Sequence, residues 1–293
     1  MNTPSYHTPV MCEETEKYLI NNLTGTYVDC TIGGGGHSLY LLERYQEIKI
    51  IGFDHDKNAI EESNKNLSKY SDRIKLVKEN FKNIRKFLRD NGTAFVDGAL
   101  ADLGVSSKQL DDESKGFSFK SDNLDMRMDL SLEKNAQDII NTYDNKSLTE
   151  IFYRYGEERF AEKISRKIIE ERAINKIISG KRLAEIVEKV KKRDSHIHPA
   201  TKIFQALRIA VNKELENLSA FLADLPFILS PGGKAVIISY HSLEDRIIKN
   251  SFRDNAKNGI YKILTKKVIT ASEDEKRRNN RSRSAKLRAV EKL

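Results

Sequence analysis

Four consecutive glycines, Gly33 to Gly36, lie between a strand-like stretch, Thr26 to Thr31, and a helical one, Ser38 to Tyr45. Glycine lets a ligand approach the backbone closely, and a helix N-terminus favours polar or anionic groups. The next strand-like stretch ends at Asp54, 18 residues after Gly36. An acid at that point of a nucleotide-binding α/β fold accepts hydrogen bonds from ribose hydroxyls. A glycine cluster also occurs in ordinary tight turns. Its place between strand and helix, with an acid ending the next strand, is what points to a ligand. The dinucleotide fingerprint Gly-x-Gly-x-x-Gly/Ala fails here, because its last position would be Ser38 or Leu39. A nicotinamide-dependent oxidoreductase is therefore the weaker reading of this loop.

Three further constellations carry polar chemistry. Asp102 and Gln109 follow the fourth strand-like stretch, where they could hold a substrate amine or a cofactor, or simply cap a loop. Phe117 and Phe119 precede Arg127 and could stack a base, or serve as a local apolar anchor. Ser239 to Arg246 offers a hydroxyl, an imidazole and a guanidinium, or a helix cap at Ser242. No Gly-x-Ser-x-Gly elbow exists, which argues against a serine hydrolase. His196 and His198 have no acid or Cys partner at ligand spacing, so no metal site is expected.

These residues need elements to hold them. Thr26–Thr31, Ile48–Asp54, Arg73–Lys78 and Phe95–Asp102 read as strands. They alternate with helical stretches at Ser38–Tyr45, Ala59–Leu67 and Phe81–Arg89. That order predicts a parallel sheet covered by helices. Its ligand crevice lies at the carboxyl ends of the strands, so Asp29, Asp54, Asn80 and Asp102 share one rim. The pattern then turns helical at Ala136–Ile140, Leu148–Tyr155, Glu158–Arg172 and Leu183–Lys192. Periodicity gives one long helix, Thr201–Leu225, with Thr201 as its cap, then a turn at Ser230–Gly233. A buried strand follows at Lys234–Tyr240, then a helix at Asp245–Phe252. An exposed strand over Ile260–Ile269 and a last one over Ala285–Val290 complete the sheet. The fold class is α/β: a discontinuous sheet domain, 1–109 and 200–293, with an all-helical insertion, 110–199.

Charge is concentrated in one place. The chain of 293 residues has 51 Lys and Arg against 43 Asp and Glu, a net charge of +8. Seven basic residues and no acid lie between Lys276 and Arg288, so the remainder is nearly neutral. This segment is either a solvated tail or an arm that contacts phosphates. Hydrophobic residues at 39% suffice for a core, and no apolar run reaches the roughly 18 residues that span a bilayer. Met1 to Val10 lacks the basic start and apolar stretch of a secretory signal. Cys12 and Cys30 are too few for a disulfide framework and fit a reducing, cytoplasm-like compartment.

Taken in order along the chain, the motifs form a family pattern. They are Asp29 to Ser38, Asp102 to Asp112, Gly116 to Phe119, Leu124 to Asp129, Tyr155 to Ala161, His198 to Thr201, Phe204 to Arg208, Pro231 to Gly233 and Ser239 to Arg246. The loop, Asp-x-Thr-x-Gly-x-Gly-Gly, resembles the first motif of class I S-adenosylmethionine methyltransferases. The whole set resembles the bacterial ribosomal RNA small subunit methyltransferase H family, which methylates the 4-amino group of a cytosine in 16S rRNA. The resemblance covers nearly the whole chain. It implies a class I methyltransferase Rossmann-like sheet, a helical insertion that helps bind substrate, and S-adenosylmethionine as cofactor. It carries cofactor contacts over to Gly34, Gly35, Gly36, His37, Asp54, Phe81, Asp102 and Gln109, with Asp102 also the catalytic candidate. The implied partner is 16S rRNA in a small ribosomal subunit or late precursor, in the cytoplasm and away from membranes, with a homodimer left open. One departure stands out. Exocyclic-amine methyltransferases typically carry Asp/Asn/Ser-Pro-Pro-aromatic after strand four, and this chain has Asp102-Leu103-Gly104-Val105. Another aromatic is then expected to stack the base. A binding or assembly factor that keeps the cofactor fold without catalysis is the remaining rival.

Overall fold

A computed structural model describes residues 9–105, 112–192 and 198–293. They form two compact units, Met1–Gly104 with Leu215–Leu293, and Val105–Glu214. The expected boundary at 199 falls inside the second unit, and the one at 110 lies outside the described residues.

The first unit is built on an eight-stranded sheet. In chain order its strands are β1 (Thr26–Asp29), β2 (Lys49–Asp54), β3 (Ile74–Lys78), β4 (Val96–Asp102), β5 (Leu229–Ser239), β6 (Tyr261–Ile263), β7 (Ile269–Thr270) and β8 (Lys286–Lys292). The spatial order is β3-β2-β1-β4-β5-β8-β6, with β7 also paired to β8. The first five strands in that order run parallel, and β8 is antiparallel to β5. This is a doubly wound, Rossmann-like sheet whose order reverses between β1 and β4, the place where such folds bind ligands.

Period-two alternation explains why both faces are covered. Val28, Ala99, Ala101, Ala235 and Ile237 enter one core with Phe221, Leu225 and Ile248. Their neighbours Tyr27, Leu100, Val236 and Ile238 enter the opposite core with Leu41, Leu42 and Leu287. The flanking helices are α1 (Cys12–Leu19), α2 (Gly36–Arg44), α3 (Lys57–Asn66) and α4 (Ile84–Asp90). Helix α1 is too charged, CEETEKYL, for its periodicity to announce it.

The described elements of the second unit are all helical: α5 (Ala136–Thr142), α6 (Asn145–Gly156), α7 (Ala161–Ile174), α8 (Gly180–Val190) and α9 (Thr201–Asn212), with a short 3-10 turn at Glu113–Lys115. Ile140, Leu148, Phe152, Ile164, Leu183 and Ile203 share its core. Helices α10 (Glu214–Ile228), α11 (Ser242–Lys257) and α12 (Glu273–Arg278) follow.

Four expectations need correction. The long helix Thr201–Leu225 breaks at Lys213, whose φ of 52° ends α9 before α10 begins. Apolar periodicity runs through such a break, because a left-handed residue leaves no mark in it. Ala200, not Thr201, occupies the cap of α9. The turn at Ser230–Gly233 is a bulge inside β5: Leu229 pairs with Val96 and Lys234 with Gly98. The strand at Ile260–Ile269 splits into β6 and β7, both paired to β8.

Candidate active site

The rim at the carboxyl ends of β1, β2 and β4 carries Asp29, Asp54 and Asp102. The loop from Thr31 to α2 is shaped by hydrogen bonds to these acids. The Gly33 N–H donates to Asp54 Oδ2 at 3.1 Å, and the Asp56 N–H donates to the other oxygen at 2.8 Å. The Gly35 N–H closes the turn on the Ile32 carbonyl at 2.7 Å. Gly35 has φ of 83°, and a Cβ there would meet Leu67 Cδ1 at 2.8 Å. The left-handed conformation favours glycine at that position, and Leu67 would have to shift to admit any side chain there.

Asp29 is buried at the centre. Its carboxylate accepts from the Ser38 hydroxyl at 2.8 Å and from the Thr31 N–H at 3.2 Å. Burial pushes its pKa up to about 6; nearby His37, Ser38 and the Thr31 amide oppose the rise. Asp54 and Asp102 are likewise raised, again chiefly by burial. Three carboxyls with raised pKa values and few cations beside them thus share one rim, which makes it the candidate site.

Asp102 is the most connected of the three. Its backbone N–H donates to Thr31 Oγ1 at 2.8 Å. The Tyr240 hydroxyl donates to its Oδ1 at 2.7 Å. His37 Nδ1 lies 3.8 Å from its Oδ2. His37 Nε2 sits 2.8 Å from the Val10 carbonyl, and since a carbonyl can only accept, that nitrogen carries a proton. The Asp102 side chain keeps 24% of its surface exposed, so it remains reachable.

The structure brings Gly34, Gly35, Gly36, His37, Asp54 and Asp102 to the same rim. Phe81 stands just beyond β3, in the short turn capped by the Asn80 side chain, with its ring edge-on to Phe221 at 5.5 Å. Gln109 and His196 lie outside the described residues. The periodicity reading assigned no role at the rim to Thr31, to the Val10 carbonyl or to Tyr240 individually. Immediate succession to a buried strand was the available signal for Tyr240.

Other motif residues serve structure. His241 caps α11 in place of Ser242: the Glu244 N–H donates to His241 Nδ1 at 3.3 Å, and Glu244 Oε2 accepts from the Tyr240 and His241 amides. Phe117 is buried in the helical core. Phe119 stacks on His198 at 4.4 Å and meets Phe204 edge-on at 4.7 Å, while His198 Nε2 lies 3.2 Å from Glu188. Arg127 grips the Asp125 carboxylate twice, at 2.8 and 2.9 Å, and the Leu132 carbonyl. Asn212 bridges backbone atoms of Met126 and Met128, both at 2.8 Å.

The basic segment is folded, not a free arm. Lys276–Arg278 close α12, Lys286–Arg288 open β8, and Arg288 grips Asp245 at 2.7 and 3.1 Å. Arg277, Arg278 and Arg283 are exposed. No helix among the described residues is long and apolar enough to cross a membrane.

The model of the MraW methylase family matches residues 4–293. The ribosomal RNA small subunit methyltransferase H of Endomicrobium trichonymphae is 49% identical over 287 residues, covering 98% of this chain and 99% of that protein. Its namesake from Carboxydothermus hydrogenoformans is 45% identical over 305 residues, covering 98% of each chain. The one from Acaryochloris marina is 46% identical over 289 residues, covering 98% of this chain and 94% of that protein.

Proposed function

The chain belongs to the MraW methylase family, and from that premise we propose that it methylates the exocyclic 4-amino group of a cytidine in the decoding region of 16S rRNA. At the coarser level it is a methyltransferase of small-subunit ribosomal RNA, with S-adenosylmethionine as cofactor. The donor set fits that cofactor. Asp54 and Asp102 offer acceptors for ribose hydroxyls and an ammonium group, the Gly34–His37 turn offers backbone, and Phe81 offers an apolar ring. Gln109 belongs to the same expected contacts.

S-adenosylmethionine supplies a methyl group made electrophilic by its sulfonium. The chain must do the rest. A cytosine amine is a poor nucleophile, because its lone pair is delocalised into the ring. The site has to orient that amine and accept its hydrogen bonds as positive charge develops. Asp102 is the residue for this, and the observation that carries the assignment is its partly exposed carboxylate beside the glycine turn. A base inside a structured RNA must be unstacked to reach it. The exposed Arg277, Arg278 and Arg283 hold the RNA through its phosphates, and the helical unit adds further substrate contacts. A small subunit or late precursor is the substrate.

Mass spectrometry of 16S rRNA from cells with and without this gene tests the reading. Loss of one N4-methylated cytidine in the deleted strain is expected. An unchanged modification profile would instead favour a factor that binds without catalysis.

A further inference from the structure

We propose that Tyr240 is a positioning residue for methyl transfer: its phenol occupies Oδ1 of Asp102 and leaves Oδ2 to receive the substrate amine. This rests on the assignment of Asp102 as the group that meets the amine.

A carboxylate has two oxygens and several lone-pair directions, so an exposed one samples many orientations. Asp102 does not have that freedom. The Tyr240 hydroxyl holds Oδ1 at 2.7 Å, and Thr31 holds the backbone amide of the same residue at 2.8 Å. Tyr240 is itself fixed at both ends. Its backbone N–H donates to Glu244 Oε2 at 2.9 Å, inside the capping box of α11. Its ring lies against Gly104, where an added Cβ would come within 3.3 Å of Cδ2 and where φ is 101°. The glycine two residues after Asp102 therefore makes room for the ring that orients it. Burial and the Asp102 charge keep the phenol protonated well past its usual range, so it can act as a donor throughout the working pH range. Charges around Asp102 come from several elements. His37 faces it from α2, Arg281 from the basic segment and Glu244 from α11. Asp29 and Cys12 also lie within electrostatic reach. The Tyr240 hydrogen bond lowers the Asp102 pKa against the rise caused by burial.

Tyr240→Phe keeps the ring and removes the donor. In the full-length enzyme acting on unmodified small subunits, kcat should fall about tenfold while KM for S-adenosylmethionine stays within about twofold. The acid limb of the kcat profile should move to higher pH, because Asp102 loses the bond that favours its ionised form. A residue that merely filled space would leave that limb in place. Wild-type kcat and an unshifted limb in Tyr240→Phe would overturn the proposal. Wild-type enzyme that fails to methylate the subunit would instead remove the functional reading beneath it. Nuclear magnetic resonance of wild-type protein labelled at tyrosine Cζ needs no variant to fold. One tyrosine signal should step as a carboxyl titrates in the acid range, and the step should vanish in Asp102→Asn. No such signal would also overturn the proposal.

Discussion

The rim acids of the sheet unit and two acids of the helical unit, Glu171 and Glu158, face opposite fates. Asp29, Asp54 and Asp102 are driven up by burial. Glu171 is held below the usual carboxylate range by Lys189 first, at 2.8 Å, with Arg182 and Lys167 beside it. Glu158 is buried against Lys191 at 2.9 Å and accepts from the Phe160 N–H. In the helical unit each such acid has its cation within reach, and the pairs hold helices together. On the rim the acids are satisfied by amides and hydroxyls, which leaves acceptor capacity for a ligand. On the proposed assignment, the rim thus gives up stability that these pairs keep.

The largest expected effect breaks this comparison at its centre. Asp102→Ala should lower methyl transfer by at least about a hundredfold while the chain still folds, because the amine loses its acceptor as positive charge develops. Gly35→Ala should come next. The left-handed conformation and the close approach of Leu67 would distort the loop, weakening S-adenosylmethionine binding by about 1–3 kcal/mol in calorimetry.

Asp29→Asn sharpens the comparison on stability. A carboxyl whose folded pKa is raised to about 6 contributes favourably below its unfolded value, and that contribution is lost as pH rises through about 6. The order of magnitude is up to about 3 kcal/mol. Denaturant titrations of the variant should therefore show higher stability at neutral pH and a flatter dependence across the acid range. Glu171 runs the other way: its pairs stabilise above the unfolded pKa and fail as pH falls through the depressed one. Glu158→Gln should destabilise the helical unit by about 1–3 kcal/mol through an unpaired Lys191, with cofactor affinity unchanged.

The smallest effect concerns the exposed basic residues. Replacing Arg277, Arg278 and Arg283 with Gln should reduce the salt slope of RNA binding by about 0.7–0.9 for each phosphate that is no longer neutralised. Cofactor affinity should not move. Equal weakening of both would mean that the segment serves the fold.

Much of the sheet unit was legible, because alternating apolar residues leave a mark whether or not the partners are known. The order β1 to β4, the glycine turn and the three rim acids all follow from local pattern. What stayed hidden was set by tertiary placement. Lys213 breaks a helix through one backbone torsion, without any change in apolar period. Arg288 reads as part of a charged arm, yet β8 carries it to Asp245. The Tyr240 to Asp102 bond joins residues 138 positions apart: the ends of buried strands mark each as a rim residue, but nothing in either neighbourhood pairs the two. The Phe117 and Phe119 pair was ambiguous for a similar reason: aromatic type alone does not separate a base platform from a core.

The most direct test is methyl transfer in a purified system. Wild-type and Asp102→Ala chains are each given S-adenosylmethionine with a labelled methyl and small subunits that lack the modification. Nuclease digestion and mass spectrometry then locate the label. The prediction is one labelled N4-methylcytidine from 16S rRNA with the wild type, and none with Asp102→Ala, although that variant still folds. Full labelling by Asp102→Ala, or label on any other atom of the RNA, would contradict the account.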